Sequence, residues 1–543
     1  MERSGQQSSL RARPVHGAGG RGIPSRLALV LLAAGSLAAG ATREAIAQPA
    51  EYLPVQSALY DEIEALASRC LLDSLAVYTR PIARADVARA LVRARRLHPG
   101  LERDLHYRRL ERELVRELTD LGAPCEARET GPMIDTGPGG NQRLRVALAA
   151  HARGDYDEKR SVAHFQMRDE SSLSARGGLQ IGTVFGAFEE LGVTRIRGQR
   201  AFIDPLASHT DLELAVLRGE MTARSGPLGA GAGYESFRWG PGRHGTLLLS
   251  EAAGPMTFLA FHGSFGGRLT ATALSAVLSH SDGRYLAAHR LEWAVSPRLT
   301  LGFAEAARYQ SSTLDPLYAA GLFPYALVRR IHIRDASSDS LRVIERANVM
   351  ASADVTVRPL PALTLYGELL VDDFATKSST SPDQLGFQAG FRSERPYGEM
   401  GTRFLGEYTR VFNYTYSVSY DRNFIYRDRP LGYVLGPDVE NVWLEAALDL
   451  SRDWQLRWTG DFTNHGEGRL GIPWVPGQDG ASSGHLSGVI ERRREVWGDA
   501  RWLPRDNADL SAGLGFRRIE NEGNVEGATR TAWLGRLALD VRY

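Results

Sequence analysis

The sequence has 543 residues, with 65 Lys and Arg against 64 Asp and Glu and a formal net charge of +1. This balance leaves no basic excess for binding nucleic acid, and 8% aromatic residues argue against wholesale disorder. A mean hydropathy of −0.26 excludes a polytopic helical membrane protein. It does not exclude a membrane β-barrel, because the strands of a barrel are only half apolar.

Residues 1–47 have the pattern of a secretory signal peptide. Five arginines in the first 26 residues precede an apolar run from Leu27 to about Ala41, and Ala45-Ile46-Ala47 supplies a cleavage site. The run is short and rich in Gly and Ala for a spanning helix. We therefore predict cleavage after Ala47 and an exported chain, with a membrane anchor as the alternative.

Residues 48–128 predict a small helical bundle. A first helix has Leu59 and Ile63 on one face, a second starts near Arg84, and a third runs from about residue 100 to 121. A unit of this size has little core of its own. We expect it to pack on something larger; an independent periplasmic domain is the alternative.

Both cysteines of the chain, Cys70 and Cys125, lie in this helical region. An exported chain meets an oxidising compartment, so a disulfide between them is one interpretation. Two buried free thiols are the other.

Residues 129–140 are rich in Gly and Pro and predict a linker, and residues 141–543 alternate with the period of β-strands to the last residue. For example, Leu365 and Leu369 fall on one face, and Tyr366 and Glu368 on the other. We predict about 18 strands, beginning near residues 142, 178, 195, 210, 228, 256, 268, 285, 298, 346, 361, 384, 397, 440, 453, 490, 506 and 530.

The lengths of the connections separate a membrane barrel from a soluble sandwich. Links of two to four residues, such as Gly266-Gly267 and Ser296-Pro297, alternate with long ones at 239–255, 310–345, 374–383, 413–439, 465–489 and 520–529. Short turns at one end and long loops at the other are typical of an outer-membrane barrel of a Gram-negative cell. The aromatic Tyr543 closes an alternating strand, as such barrels commonly do. The predicted fold class is thus mainly β, a large antiparallel transmembrane β-barrel with its long loops outside the cell, preceded by the N-terminal α-helical bundle.

One motif gives a more specific indication. The segment 237–256 contains Arg238-Trp239-Gly240-Pro241-Gly242, a Leu-rich stretch that ends at Ser250, and Pro255-Met256. It resembles the signature of the Wzi family of capsule-assembly outer-membrane proteins, and segments 288–293, 365–374 and 435–438 are similar to that family in the same order. The first Trp of the family's Trp-Trp pair is Arg238 here, and Cys70 stands where the family usually has Gly.

The resemblance implies an 18-stranded barrel closed by a periplasmic helical bundle. It also implies a lectin-like role in attaching or organising capsular or exopolysaccharide at the cell surface, with Trp239, Gly240, Pro241, Gly242 and Pro255 as a structural motif. The expected partners are a surface polysaccharide of acidic character, the lipid of the outer membrane, and the barrel-insertion machinery.

Binding a charged polysaccharide requires aromatic faces for the sugar rings and arginines for the carboxylates. The predicted outer loops supply both types, and the candidate polysaccharide-binding residues are Tyr318, Tyr325, Arg329, Arg330, Tyr414, Tyr426, Arg427 and Trp474. The alternative interpretation is that these aromatics form the outer membrane girdle or pack the loops over the barrel mouth.

The sequence has no H-E-x-x-H or P-loop pattern. We therefore predict neither an enzyme nor a cofactor or metal site. The alternative function is an outer-membrane channel or porin for small solutes or oligosaccharides, which would need an unobstructed lumen.

Overall fold

The computed structural model describes residues 51–72, 75–126, 134–136, 142–157, 169–182, 184–197, 212–335, 347–373, 382–397, 400–475, 485–505 and 508–542. The predicted signal peptide, most of the predicted linker and Tyr543 lie outside these ranges. No helix in them has the length and apolar character to cross a membrane.

Eighteen antiparallel strands form a closed barrel in which each strand pairs with its neighbours in sequence and the last pairs with the first. The strands are β1 (Gln142–Asp157), β2 (Asp169–Ile181), β3 (Phe185–Arg197), β4 (Leu212–Ser225), β5 (Leu228–Glu235), β6 (Met256–Phe265), β7 (Leu269–Ser279), β8 (Arg284–Ser296), β9 (Leu299–Gln310), β10 (Asn348–Leu360), β11 (Leu363–Asp373), β12 (Gln384–Tyr397), β13 (Met400–Val411), β14 (Val439–Asp449), β15 (Trp454–His465), β16 (Glu491–Arg505), β17 (Ala508–Glu520) and β18 (Thr529–Arg542). The predicted barrel class and strand number are confirmed.

Connections after even-numbered strands are short, and those after odd-numbered strands are long except for 280–283 between β7 and β8. The predicted starts of β2 and β3 are wrong by nine and ten residues, since these strands begin at Asp169 and Phe185 and not near 178 and 195. Inside the predicted linker, Ile134–Thr136 pair with β1 as a short strand.

The two faces of the strands differ as the alternation predicts. Leu365 and Leu369 point outward and are exposed, whereas Tyr366 and Glu368 point into the lumen and are buried. Exposed apolar residues recur around the outer wall, among them Leu291, Trp293, Leu301, Phe303, Phe387, Phe391, Leu444, Trp458, Trp533 and Leu537. Such an outward apolar band is the surface that a membrane barrel presents to lipid.

The helical bundle has its own apolar core and sits at the short-turn end of the barrel. Its helices are α1 (Leu59–Ser68), α2 (Arg84–Leu97), α3 (Leu105–Glu113) and α4 (Val115–Asp120), and its core includes Leu53, Tyr60, Ile63, Leu66, Val87, Leu91, Leu110, Leu114 and Leu118. Arg109 of α3 donates to the carbonyl of Ser451 at 3.1 Å, and Ala362 N–H donates to Ser68 O at 3.3 Å. Ser451 and Ala362 both lie in short turns, which places the bundle at that mouth.

The single third helix that the sequence predicted is wrong. A 3₁₀ turn (Leu101–Arg103) precedes α3, and Leu114, at φ −112° and ψ 17°, separates α3 from α4. Asp104 starts α3 as an N-cap, because its carboxylate accepts hydrogen bonds from the backbone N–H groups of His106 and Tyr107. The break turns α4 so that it packs on α2.

Both cysteines are free thiols in the structure. Cys70 Sγ lies 3.3 Å from the carbonyl oxygen of Pro297, and Cys125 Sγ lies 3.7 Å from that of Ala123. The structure therefore has free thiols, but each cysteine is half-buried and not buried as that alternative from the sequence expected. The two sulfur atoms contact different parts of the molecule: that of Cys70 contacts a barrel turn, and that of Cys125 contacts the end of the bundle.

Candidate functional site

The connection between β5 and β6, residues 236–255, folds into the barrel, and we call it the lumen loop. Within it, Arg238 and Trp239 pair as a two-residue strand with Thr79 and Arg80 of the bundle. Gly240 N–H donates to Tyr78 O at 2.9 Å, and the Trp239 side chain is only 1% exposed. The loop from one end of the barrel thus meets the bundle from the other.

The Gly-Pro-Gly segment makes a tight turn inside this loop. Gly240 has φ +127°, a conformation that glycine alone adopts readily. A Cβ on Gly242 would lie 2.0 Å from Gln388 Oε1 and 2.2 Å from Gly245 O. The Arg238 guanidinium donates to the carbonyl oxygens of Gly242 and Arg243 and to Glu251 at 2.5 Å. The motif therefore builds a folded loop.

A buried ion cluster joins the bundle, the lumen loop and the wall. Asp61 of α1 pairs with Arg243 of the lumen loop at 2.7 Å, Arg457 of β15 at 3.0 Å and Arg403 of β13 at 3.3 Å. Glu445 of β14 faces the same three arginines. Burial alone would raise the pKa of Asp61, but the arginines hold this pKa well below its usual range. The carboxylate therefore stays charged and ties three parts of the chain together.

Further buried polar contacts bind the bundle to β8 and β12 of the wall. Glu64 of α1 pairs with Arg80 of the bundle and Arg392 of β12. Glu292 of β8 accepts a hydrogen bond from Thr79 Oγ1 at 2.6 Å. Because these groups are buried and multiply paired, they fix the bundle in one position in the mouth.

The middle of the lumen holds an apolar core. It is formed by wall residues of β6–β14, residues of the lumen loop and residues of the 412–438 connection, and includes Phe237, Trp239, Leu247, Leu248, Leu249, Phe258, Leu274, Leu286, Met350, Leu370, Tyr416, Phe424, Leu431 and Tyr433. A water-filled pore has a polar interior. This part of the lumen is instead packed like the interior of a soluble protein.

On the other side of the lumen, the described residues line two polar cavities. One, of about 410 Å³, is lined by Trp443, Trp497 and several charged side chains, including Arg457 and Glu495. The Trp443 ring stacks on His244 at 4.3 Å, and its Nε1–H has no hydrogen-bond partner among the described residues. The second, of about 660 Å³, follows β15–β18 and β1–β4 beside residues 51–59.

The long loops 412–438 and 466–475 pack on each other over the lumen, and we call them the cap. Hydrogen bonds join these loops. The Asp438 carboxylate accepts one from Gly468 N–H at 2.9 Å, and Ser417 Oγ accepts another from Gly471 N–H at 3.0 Å. Tyr416 extends down to donate to Leu247 O at 2.6 Å. The cap is thus anchored on the lumen loop.

The structure divides the eight candidate polysaccharide-binding residues into two groups. Tyr318, Tyr325, Arg329 and Arg330 belong to a helical hairpin that packs on the outside of the wall, where the rings of Tyr318 and Tyr325 are buried. These two rings present no face to a sugar. They pack the hairpin onto the outer face of the wall, and not over the barrel mouth.

The other four, Tyr414, Tyr426, Arg427 and Trp474, lie in the cap. Tyr426 is buried, Tyr414 and Trp474 are half-buried, and Arg427 is exposed. Arg427 lies over the Tyr426 ring with its guanidinium carbon 5.0 Å from the ring centre. Of the eight candidates, those that combine an accessible side chain with a position over the mouth are therefore Tyr414, Arg427 and Trp474.

Sequence reasoning did not single out Trp443 and Trp497 as candidate site residues. The available signal was that Trp443 falls on the polar face of β14, together with Asn441 and Glu445, where a large aromatic side chain is out of pattern. Within the described residues, no group of three or more His, Cys, Asp or Glu side chains is arranged to hold a metal ion.

Among solved structures, this chain is similar to Wzi of Escherichia coli, an outer membrane protein involved in group 1 capsule assembly and a carbohydrate-binding β-barrel. The match covers 91% of this chain and 99% of that chain, with a TM-score of 0.60 and 14% sequence identity. Pseudomonas aeruginosa OprD matches over 73% of this chain and 94% of its own, with a TM-score of 0.41 and 10% identity. Acinetobacter baumannii OccAB1 matches over 74% and 96%, with a TM-score of 0.43 and 10% identity. No protein-family model and no curated sequence matches the chain. The resemblance to Wzi that the sequence predicted is confirmed at the level of the fold.

Proposed function

We propose that this protein is a lectin-like barrel of the outer membrane that attaches or organises capsular or exopolysaccharide at the cell surface. Its role is binding and not catalysis. The observation that carries the proposal is the filled lumen: the bundle, the lumen loop and the cap occupy the barrel and are held by buried ion clusters and an apolar core. The fold shared with a carbohydrate-binding barrel supports it.

The proposed orientation places the bundle in the periplasm and the cap outside the cell. Outer-membrane barrels have short periplasmic turns and longer extracellular loops, and the bundle contacts the short turns at Ala362 and Ser451. The apolar outer wall meets lipid, and the barrel-insertion machinery acts on the strands during assembly. The side of the molecule with the long loops then faces the polysaccharide.

The proposed contact surface is the part of the cap that carries Tyr414, Arg427 and Trp474. An exposed guanidinium can make a bidentate contact with a uronate carboxylate, and an indole face can stack on a sugar ring. Arg427 is exposed and Trp474 is half-buried. An acidic polysaccharide is therefore the expected ligand.

Retention of polysaccharide by the purified protein tests this proposal. Immobilised full-length protein is incubated with surface polysaccharide purified from the source cells, and the bound sugar is measured at low and high salt. We expect retention by the wild type, weakened by salt, and severalfold weaker retention by Arg427→Gln and Trp474→Ala.

Arg330→Gln is the matched control, because Arg330 is also an exposed arginine but lies on the outer wall. It should retain polysaccharide like the wild type. Equal retention by all three variants would exclude the cap as the contact surface, and no retention by the wild type would contradict the proposed function.

A channel is the second candidate, and the two polar cavities favour it. They lie side by side along β14–β18 and β1–β4 and share Arg457 and Arg536 in their linings. Conductance across a planar bilayer distinguishes the two functions. Stable nanosiemens-scale steps would favour the channel, and their absence would favour the binding protein.

A further inference from the structure

Two short helices between β9 and β10 lie on the outside of the barrel. They are α5 (Pro316–Ala320) and α6 (Tyr325–Asp335), and we call them the outer hairpin. They cover Tyr285 and His289 of β8 and Glu305 and Tyr309 of β9. These positions are on the outer face, because each lies an even number of residues along its strand from the outward-facing Leu291 and Trp293 of β8 or Leu301 and Phe303 of β9.

The hairpin is fixed to the wall by stacking and by a helix cap. Tyr318 stacks on Tyr309 at 4.4 Å and Tyr325 stacks on His289 at 4.5 Å. The Glu305 carboxylate accepts hydrogen bonds from the backbone N–H groups of Tyr325 at 2.7 Å and Ala326 at 3.1 Å. An acidic residue on the outer face of a barrel is costly in lipid. Here the N-terminus of α6 covers it.

The opposite face of the hairpin is apolar, and among the described residues none covers it. Leu322 is 80% exposed, Phe323 52%, Leu327 51% and Ile331 41%. Phe323, Leu327 and Ile331 are spaced four residues apart. Leu327 and Ile331 therefore form a stripe along one face of α6, and Phe323 continues this stripe on the segment before the helix. Exposed arginines, Arg330 and Arg334, border this stripe.

We propose that the outer hairpin is an interfacial membrane element: its apolar stripe lies among the acyl chains of the outer leaflet, and Arg330 and Arg334 lie at the level of the lipid phosphates. The inference rests on the outer-membrane placement proposed above. Phe303, two residues before Glu305 on the same face of β9, is 47% exposed on the wall beside the hairpin. An apolar face bordered by arginines is the pattern of helices that lie in a membrane surface. The occupant of this face is therefore lipid.

Single spin labels in vesicles of phosphatidylethanolamine and phosphatidylglycerol test the proposal. Labels are attached to Phe323→Cys and Leu327→Cys in the full chain carrying Cys70→Gly and Cys125→Ser, and collision rates with oxygen and with a water-soluble nickel chelate are compared. Phe303→Cys is the lipid control and Asp282→Cys, in the exposed turn after β7, is the water control. All four labelled side chains are substantially exposed, so the labels displace no packed group.

We expect the ratio of oxygen to nickel collisions at 323 and 327 to follow that at 303 and to exceed that at 282 severalfold. A ratio at 327 like that at 282 would overturn the proposal. So would protection from both reagents with spin–spin broadening, which would indicate a second copy of the chain on this face. A water-type ratio at 303 itself would overturn the insertion of the barrel as well, which separates the failure of the proposed location from that of the hairpin alone.

Discussion

Arg243 of the lumen loop lies 2.7 Å from Asp61 of the first bundle helix, although 182 residues separate them in sequence. Arg403 and Arg457, on two further strands, approach the same carboxylate. This one side chain therefore connects the element that enters from the short-turn mouth with the loop that enters from the opposite side and with the wall. The filled lumen depends on this connection.

Replacing Asp61 by Asn should destabilise the protein by about 3–5 kcal/mol, because it leaves buried arginines without their shared counter-charge. The free energy of unfolding in denaturant, followed by tryptophan fluorescence of detergent-solubilised protein, measures this. Asp282→Asn is the control, since Asp282 lies in an exposed turn and its loss should stay within about 0.5 kcal/mol. Equal effects of the two substitutions would show that the cluster contributes no stability.

Acid should weaken the bundle through Glu62 and His106, whose Oε2 and Nδ1 lie 2.6 Å apart. Burial alone would raise the pKa of Glu62, but Arg109 and the hydrogen bond from His106 lower it from 4.5 to about 2. The stabilisation of the folded state by the Glu62 carboxylate is then complete above pH 4.5 and is lost as the pH falls toward 2. Glu62→Gln should flatten that acid limb in a series of unfolding measurements from pH 2 to 7.

The His106 partner acts at the other end of the pH range. Burial alone would lower the pKa of His106, but the hydrogen bond to Glu62 raises it above 6.5. The stabilisation of the folded state by protonated His106 is complete below pH 6.5 and is lost as the pH rises through the raised pKa. The stabilisation by the pair should therefore be greatest between about pH 4.5 and 6.5, and a stability that rises steadily from pH 6 to 9 would contradict this assignment.

Gly242→Ala should disrupt the lumen loop, because the new Cβ would lie 2.2 Å from the carbonyl oxygen of Gly245, a backbone atom with little freedom to move. Overpacking of this kind costs about 1–3 kcal/mol, to be measured as a lower midpoint of denaturant unfolding. In Gly367→Ala the nearest atom to the new Cβ is at 3.5 Å. That variant should therefore unfold like the wild type, and a Gly242→Ala protein that did the same would show that the loop tolerates the side chain.

Cys70→Gly should stabilise the bundle. Cys70 follows the end of α1 with φ +60°, the left-handed conformation in which a side chain costs about 1 kcal/mol and glycine does not. Cys70→Ala is the matched comparison, because it also loses the thiol contact with Pro297 but keeps the Cβ. The glycine variant should melt at a higher temperature than the alanine variant, and the reverse order would mean that the backbone at residue 70 is not strained.

The sequence was sufficient for the barrel because period-two alternation and connection length are local properties. It misplaced β2 and β3, since segment 169–181 carries the adjacent pairs Ser171-Ser172 and Gly177-Gly178 in place of an alternating pattern. The break of the third helix at Leu114 was also missed. Leu114 continues the apolar stripe, and only the packing of α4 on α2 reveals the change of direction.

The candidate site was harder to predict for a physical reason. Tyr318 and Tyr325 stand in a long loop between two strands, and nothing in their spacing distinguishes a ring over the mouth from a ring packed on the outer wall. The partners of these rings, Tyr309 and His289, decide the matter through tertiary contact. The pairing of Asp61 with Arg243 is equally invisible to a local pattern.

The most direct test of the central claim is the distribution of surface polysaccharide in a deletion strain of the source organism. Polymer is assayed separately in washed cells and in the culture medium, with the wild-type gene and the Arg427→Gln variant restored in parallel. The proposed role predicts that total polymer stays constant while the deletion moves it from the cells to the medium, and that the wild-type gene returns it more completely than the variant. Cells and medium that match the parent strain after deletion would contradict the role in holding polysaccharide at the surface.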